Sequence, residues 1–186
     1  MSVGAGILGT VDAGFTTFDT AIGGCAIAWR GERVTGFQLP ETSVAATRKR
    51  IARGGLQAAD PPEPIARAVT AVVAHVAGTL DDLRWIAVDV DRLPEFDRGV
   101  YRITRAIDPG DTMTYGEVAA ELGARGAAQA VGQALGRNPI PMIIPCHRVL
   151  AAGQRLGGFS AYGGIVTKRE LLAIEGADGF SDPTLF

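Results

Sequence analysis

The chain is 186 residues long and 47% hydrophobic, enough for one large domain or two small ones with an ordinary core. Its 18 basic and 20 acidic residues give a formal net charge of -2, which as an average argues against a basic nucleic-acid binder. Two cysteines, Cys25 and Cys146, exclude a disulfide framework and point to a reducing, cytoplasmic setting.

Residues 1–15 are small and glycine-rich without the basic and apolar regions of a signal peptide, and read as a flexible segment. No apolar run approaches the roughly 18 residues that span a membrane. Residues 24–29 and 33–39 suggest a hairpin turning at 30–32, with Cys25 a small hydrophobe in its first strand. Arg48, Lys49, Arg50 and Arg53 read as a solvated helix face. Asp60-Pro61-Pro62 opens a helix whose Ile65, Val69, Val72, Val73 and Val76 recur at helical spacing up to Gly78, and residues 85–90 alternate as a strand. Leu93-Pro94 marks a boundary, which gives a mixed α+β domain over 16–93.

The second half is helical. Pro94 opens a helix to about Ile107 with Phe96, Val100, Ile103 and Ile107 on one stripe, and Asp108-Pro109-Gly110 ends it. Thr114 caps a helix over 115–122 with Glu117 in capping-box position, and a second short helix runs over 127–136. Helix, turn and helix, then a strand after Cys146 and a glycine-rich loop over 153–164, predict a winged-helix domain over 94–176 with the loop as wing. A last helix ends at Gly176, and 177–186 read as a loosely held tail.

Charge is unevenly spread along this order. Residues 124–169 hold Arg125, Arg137, Arg148, Arg155, Lys168 and Arg169 and no acid, leaving twelve basic and twenty acidic residues elsewhere. A +6 stretch inside a -8 remainder is what a surface facing phosphates requires. The second short helix lies in it and carries almost only small side chains: Ala127, Ala128, Gln129, Ala130, Val131 and Gly132. A helix with average side chains is roughly 10 to 12 Å across, against about 6 Å for the minor groove of B-DNA. Small residues therefore suit groove entry, and equally suit close helix packing.

Cys146 follows three prolines in seven residues, Pro139, Pro141 and Pro145, which fix the backbone and keep the segment out of a helix. Its surroundings are apolar, so the thiol is inert unless a base or positive charge activates it. His147 is adjacent, and neighbours in an extended chain point to opposite faces, so any link runs through water. Glu175, in the last turn of its helix, faces the negative end of the dipole and wants a positive partner or donor. Carboxylate, imidazole and thiol form a chain that activates nucleophiles; by themselves the same residues also fit a structural cysteine and a surface acid. Cys25, His75, Cys146 and His147 offer no paired zinc spacing, so neither metal nor cofactor is expected.

Pro145-Cys146-His147-Arg148-Val149, preceded by Gly136-Arg137-Asn138-Pro139 and followed by Leu171-Leu172-Ala173-Ile174-Glu175-Gly176, closely resembles the active-site region of the O6-alkylguanine-DNA alkyltransferases, also called methylated-DNA–protein-cysteine methyltransferases. The likeness is close over 94–176 and loose before it. It implies an α/β fold class, with a ribonuclease-H-like α+β domain followed by a helical winged-helix domain. It implies repair by direct reversal, in which Cys146 takes an alkyl group irreversibly and once. His147 through water and Glu175 would activate the thiol, Asn138 hold the turn, and Tyr115 protonate the departing guanine. Pro141 and Val149 would line the base pocket, together with Phe159 and Ser160 or, in another alignment of a loop two residues longer than usual, Tyr162. The implied partner is double-stranded DNA carrying alkylated guanine, bound by a monomer through the minor groove. Ala127, Ala128, Gln129, Ala130 and Gly132 would enter that groove, with Arg125, Arg137 and Arg148 on phosphates, and the damaged base flipped out.

Gln129 stands where the family usually has the arginine that fills the vacated base stack. Arg137 lies about 80° round and 12 Å along the helix, too far to substitute, whereas Arg125 is about 40° and 6 Å away if the helix extends that far. Weaker or slower flipping follows, or a substrate already extrahelical, or else a lesion-binding damage sensor with reduced or lost transfer.

Overall fold

Thr16, Thr17 and Phe18 are strand formers whose signal is diluted by the small residues before them. In the computed structural model, which describes residues 12–180, they lie in β1 (Ala13–Thr20), which pairs antiparallel with β2 (Gly23–Arg30) from Ala13↔Arg30 to Thr20↔Gly23. The expected flexible segment is thus corrected for residues 13–15, because Phe15 is buried and exchanges backbone bonds with Gln57 and Ala59. Residues 1–11 lie outside the described residues.

β2 forms the expected hairpin with β3 (Arg33–Gln38), and as the central strand of a three-stranded sheet it buries Cys25 to Trp29 without interruption. Burial pushes the Cys25 thiol up to about 11, which makes it an inert hydrophobe. α1 (Val44–Ile51) packs on this sheet with Arg48, Lys49 and Arg50 exposed, and α2 (Glu63–Val76), started by its prolines, turns Ile65, Ala68, Val72, His75 and Val76 inward.

Residues 85–90 do not form the expected strand. Only Val88 bridges to Val34 of β3: the segment enters through a turn at 84–85, and side chains claim two of its carbonyls, Arg105 that of Ile86 and Arg33 that of Val88. The junction at 93–94 is not a gap in the core: Ile27, Trp29 and Val72 before it and Val100, Tyr101, Val131, Ile144 and Leu171 after it belong to one buried cluster.

α3 (Glu95–Arg105) starts after Pro94. The capping box forms as expected: Thr114 Oγ1 accepts from Glu117 N, and the Glu117 carboxylate accepts from Thr114 N, opening α4 (Tyr115–Glu121). α5 (Ala128–Gly136) follows, tied to α3 by the Tyr101 hydroxyl, which donates to Ala134 O at 2.8 Å. The strand and wing are much reduced. β4 (Met113–Thr114) and β5 (Val149–Leu150) form a two-residue parallel pair, and past β5 only Ala151 and Arg155 bridge. α6 (Ile165–Ile174) closes the order. The tail is corrected as well: Ala177 and Phe180 are buried with Leu150 and Leu172, while residues 181–186 lie outside the described residues. No helix among the described residues is long and apolar enough to cross a membrane.

Candidate active site

The proline-rich segment before Cys146 is a buried, side-chain-braced turn. Asn138 Nδ2 donates to Ile144 O at 2.8 Å and Asn138 Oδ1 accepts from Ile140 N at 3.0 Å, so one side chain closes both ends. Phe37 N of β3 donates to Pro139 O at 2.9 Å, tying the turn to the N-terminal sheet. Met142 at its crest is held at φ 74, a strained position for a side-chain-bearing residue, and is 2% exposed.

Cys146, His147 and Arg148 form a single 3-10 turn rather than the extended chain expected. At about three residues per turn their side chains diverge by roughly 120°, so neighbours in sequence enter three different environments. Cys146 reaches a cleft; His147 and Arg148 turn to Glu175. Burial raises the Cys146 thiol above its usual range, opposed by a hydrogen bond from Asn138, the charge of Lys168 and backbone donors.

The expected link between His147 and Glu175 is present and more heavily populated than expected. Glu175 Oε1 accepts from His147 Nε2 at 2.9 Å, from His75 Nε2 at 3.0 Å and from Arg148 NH2 at 2.8 Å, and Oε2 accepts from Arg148 Nε at 2.9 Å. Burial alone would raise the Glu175 carboxyl, but these donors outweigh it and hold the group well below the usual carboxylate range. Burial outweighs the pull of Glu175 on His147, so that imidazole is neutral. A carboxylate only accepts, so His147 carries its proton on Nε2 and presents Nδ1, which has no partner among the described residues, as its basic nitrogen.

The cleft over Cys146 has a volume of about 550 Å³, within the range of small-molecule sites. Tyr115, at the first position of α4, stands across from Cys146; Phe159 and Ser160 form the loop wall, and Gln129, Gly132 and Gln133 of α5 form the other. Gly157, at φ 63, lies so close that a Cβ there would meet the Tyr115 hydroxyl at 3.3 Å. Burial foremost, with a contribution from Cys146, raises the Tyr115 phenol, which stays protonated. Lys168 stands over the Tyr115 ring at 5.8 Å and donates to Val149 O at 2.6 Å; burial brings its ammonium down to about 8.

Several expected positions move. Arg148 is not on a DNA-facing surface: it is 1% exposed, bound to Glu175 and to Ile107 O, because a buried carboxylate needs a permanent cation. Val149 is buried outside the cleft wall, and Pro141 lines a smaller cavity of about 140 Å³ that adjoins the cleft and shares Cys146, Phe159 and Ser160 with it. Of the two loop aromatics Phe159 lines the cleft, while Tyr162 is exposed. α5 starts at Ala128, after Gly126 at φ 89, so Arg125 is not on its helical grid. Arg137 makes a forked pair with Asp97 of α3. Sequence reasoning passed over His75 and Lys168. Both fall at core spacing, 72, 75 and 76 in α2 and 168, 171, 172 and 175 along α6 into its cap, which was the available signal.

Residues 95–177 match the family model described as "6-O-methylguanine DNA methyltransferase, DNA binding domain". A methylated-DNA–protein-cysteine methyltransferase of Mycolicibacterium paratuberculosis is 36% identical over 92% of this chain and 98% of its own. A Salmonella typhimurium protein of the same name is 48% identical over 44% of this chain and 46% of its own. Among solved structures, Mycobacterium tuberculosis OGT in complex with DNA is 36% identical and superposes with a TM-score of 0.71, over 90% of this chain and 96% of that one. The O6-methylguanine-DNA methyltransferase of Pyrococcus kodakaraensis reaches 0.65 at 26% identity, over 89% and 99%.

Proposed function

The chain belongs to the methylated-DNA–protein-cysteine methyltransferase family, whose members repair DNA by alkyl transfer to protein, and from that premise we propose that Cys146 is the acceptor and O6-alkylguanine in duplex DNA the donor. The observation that carries the reading is a thiol at the floor of a cleft walled by α5 and Phe159, facing Tyr115 and backed by the His147–Glu175 pair.

The thiol proton passes through one water to Nδ1 of His147, and the imidazolium is stabilised by Glu175. Cys146 Sγ attacks the alkyl carbon; the bond from that carbon to O6 breaks, and its electron pair stays on the guanine. The Tyr115 hydroxyl gives the departing base a proton and is reprotonated through solvent from His147. The sum is a thioether on Cys146 and an unmodified guanine, with the thiol proton transferred to the base. Nothing cleaves the thioether, so each molecule acts once. Flipping brings a base from the duplex to this depth, and Ala128, Gly132 and Gly136 leave α5 slim where it meets the minor groove. The ribonuclease-H-like and winged-helix description and a monomeric state fit the same reading, with 93–94 a boundary of chain organisation across one shared core.

Intact-mass and peptide analysis after incubation with an O6-methylguanine duplex is expected to show one added methyl, on Cys146. An unmodified thiol after prolonged incubation with excess substrate overturns the proposal. Gln129 at the cleft wall favours a second reading, a lesion-binding sensor with reduced transfer; tight lesion binding without adduct is its signature.

A further inference from the structure

We propose that His75 is a positioning residue for alkyl transfer, contributed by the N-terminal half of the chain, whose Nε2–H holds the Glu175 carboxylate in the orientation that keeps His147 Nδ1 as the basic nitrogen. The proposal rests on the Cys146–His147–Glu175 reading above.

The tautomer of His75 follows from its two contacts. Asp81 N is a donor and reaches His75 Nδ1 at 3.2 Å, so Nδ1 accepts and the ring proton sits on Nε2. That Nε2–H faces Glu175 Oε1 at 3.0 Å, a hundred residues away in sequence and fully buried. The contact is braced from behind. Asp81 Oδ1 accepts from Leu83 N at 2.7 Å and Oδ2 from Trp85 Nε1 at 3.2 Å, so the turn supplying the Asp81 amide is itself fixed.

At the other end, the fork of Arg148 fixes the plane of the carboxylate, and the two imidazoles reach the same oxygen, His147 from the 3-10 turn and His75 from α2. Removing His75 leaves Oε1 with His147 Nε2 and Arg148 NH2 and opens space on the α2 side, where nothing else among the described residues then restrains the oxygen. The carboxylate then shifts, His147 loses its fixed orientation, and the path from Cys146 to Nδ1 lengthens. Loss of an orienting partner costs about 10-fold or more in activity at metal-bound histidines, and a misplacement of about 1 Å can cost about 100-fold in general. His75 is 1% exposed and does not line the cleft, so duplex affinity is expected to be independent of it.

The chain holds only two histidines, which makes the test direct. Long-range 15N–1H spectra of the full-length protein are expected to show both rings as Nε2–H tautomers at neutral pH. His75→Leu removes the donor, and His75→Gln keeps an Nε2 donor. Single-turnover methyl transfer at saturating O6-methylguanine duplex is expected to slow about 10-fold in His75→Leu with unchanged duplex affinity, and to recover most of its rate in His75→Gln. The His147 ring is expected to leave the pure Nε2–H pattern in the leucine variant alone. A wild-type His75 protonated on Nδ1 overturns the proposal, as does His75→Leu at the wild-type rate or His75→Gln as slow as leucine. If His75→Leu does not fold, the wild-type tautomer and the glutamine rate decide. Wild-type protein that forms no Cys146 adduct overturns the functional reading instead, and the tautomers are still read.

Discussion

Glu175 is the C-cap of α6, where the helix dipole disfavours an anion, and it is buried; both features would neutralise it. It stays ionised because Arg148, His147 and His75 supply four hydrogen bonds. A carboxyl whose folded pKa is depressed contributes stability that is fully present above its unfolded value, about 4.3, and is lost as pH falls through the folded value. The melting temperature of the wild type is therefore expected to fall as pH is lowered from about 5 to about 3. Glu175→Gln leaves the Arg148 charge uncompensated and is expected to cost roughly 3 kcal/mol or more at pH 7, with a shallower acid dependence. Parallel melting curves against pH for the two proteins would show that Glu175 does not carry this linkage. Cys146, His147 and Glu175 were legible because a contiguous motif and a helix end hold them. His75, Lys168 and Arg148 were not, because a basic side chain in sequence says nothing about which carboxylate or carbonyl will claim it in the fold.

α5 shows what composition does reveal about an element. Its small residues serve two faces at once: Val131, Ala134 and Leu135 pack inward beside Tyr101, while Gln129, Gly132, Gln133 and Gly136 line the cleft. On the proposed reading, packing and groove entry are thus compatible in one helix. Gln129 is exposed at the cleft wall, placed to touch a duplex but not to carry charge into a vacated base stack. Gln129→Arg is expected to speed single-turnover repair of duplex DNA while hardly changing the rate with a free O6-alkylated guanine base, which needs no flipping. Equal acceleration of both would mean that the position acts on chemistry or base binding. Elements whose hydrogen bonds are local, such as α4 with its Thr114–Glu117 box, could be read from sequence. The strand expected over 85–90 failed for the opposite reason. Its alternation is genuine, with Ile86 and Val88 buried, but side chains take the Ile86 and Val88 carbonyls, Arg105 of α3 the first and Arg33 of β3 the second. The wing likewise has the glycines of a loop without the paired residues that would make it a ribbon.

At the scale of the whole molecule, the acid-free stretch over 124–169 overstates the charge available to DNA. Of its six cations Arg148 and Lys168 are internal, serving Glu175 and the Val149 carbonyl, and Arg137 is forked onto Asp97. Arg125, Arg155 and Arg169 remain, with Arg137 as a fourth contact in so far as its half-exposed side chain reaches past Asp97. Counterion release then sets a ceiling. Four phosphate contacts at about -0.9 each give a log-log slope of affinity against salt no steeper than about -3.6, whereas six would give about -5.4. The measurement is equilibrium binding of Cys146→Ala, which cannot accept the alkyl group, to an O6-methylguanine duplex over a range of sodium chloride concentrations. A slope between about -2.7 and -3.6 is expected, with lesion and undamaged duplexes sharing it, because capture of the flipped base adds affinity without adding phosphate contacts. A slope near -5.4 would mean that cations outside this stretch, such as Arg48, Lys49 and Arg53 near α1, also meet the backbone. A flat dependence would remove phosphate contacts from the recognition altogether and leave the cleft as the whole of the binding site.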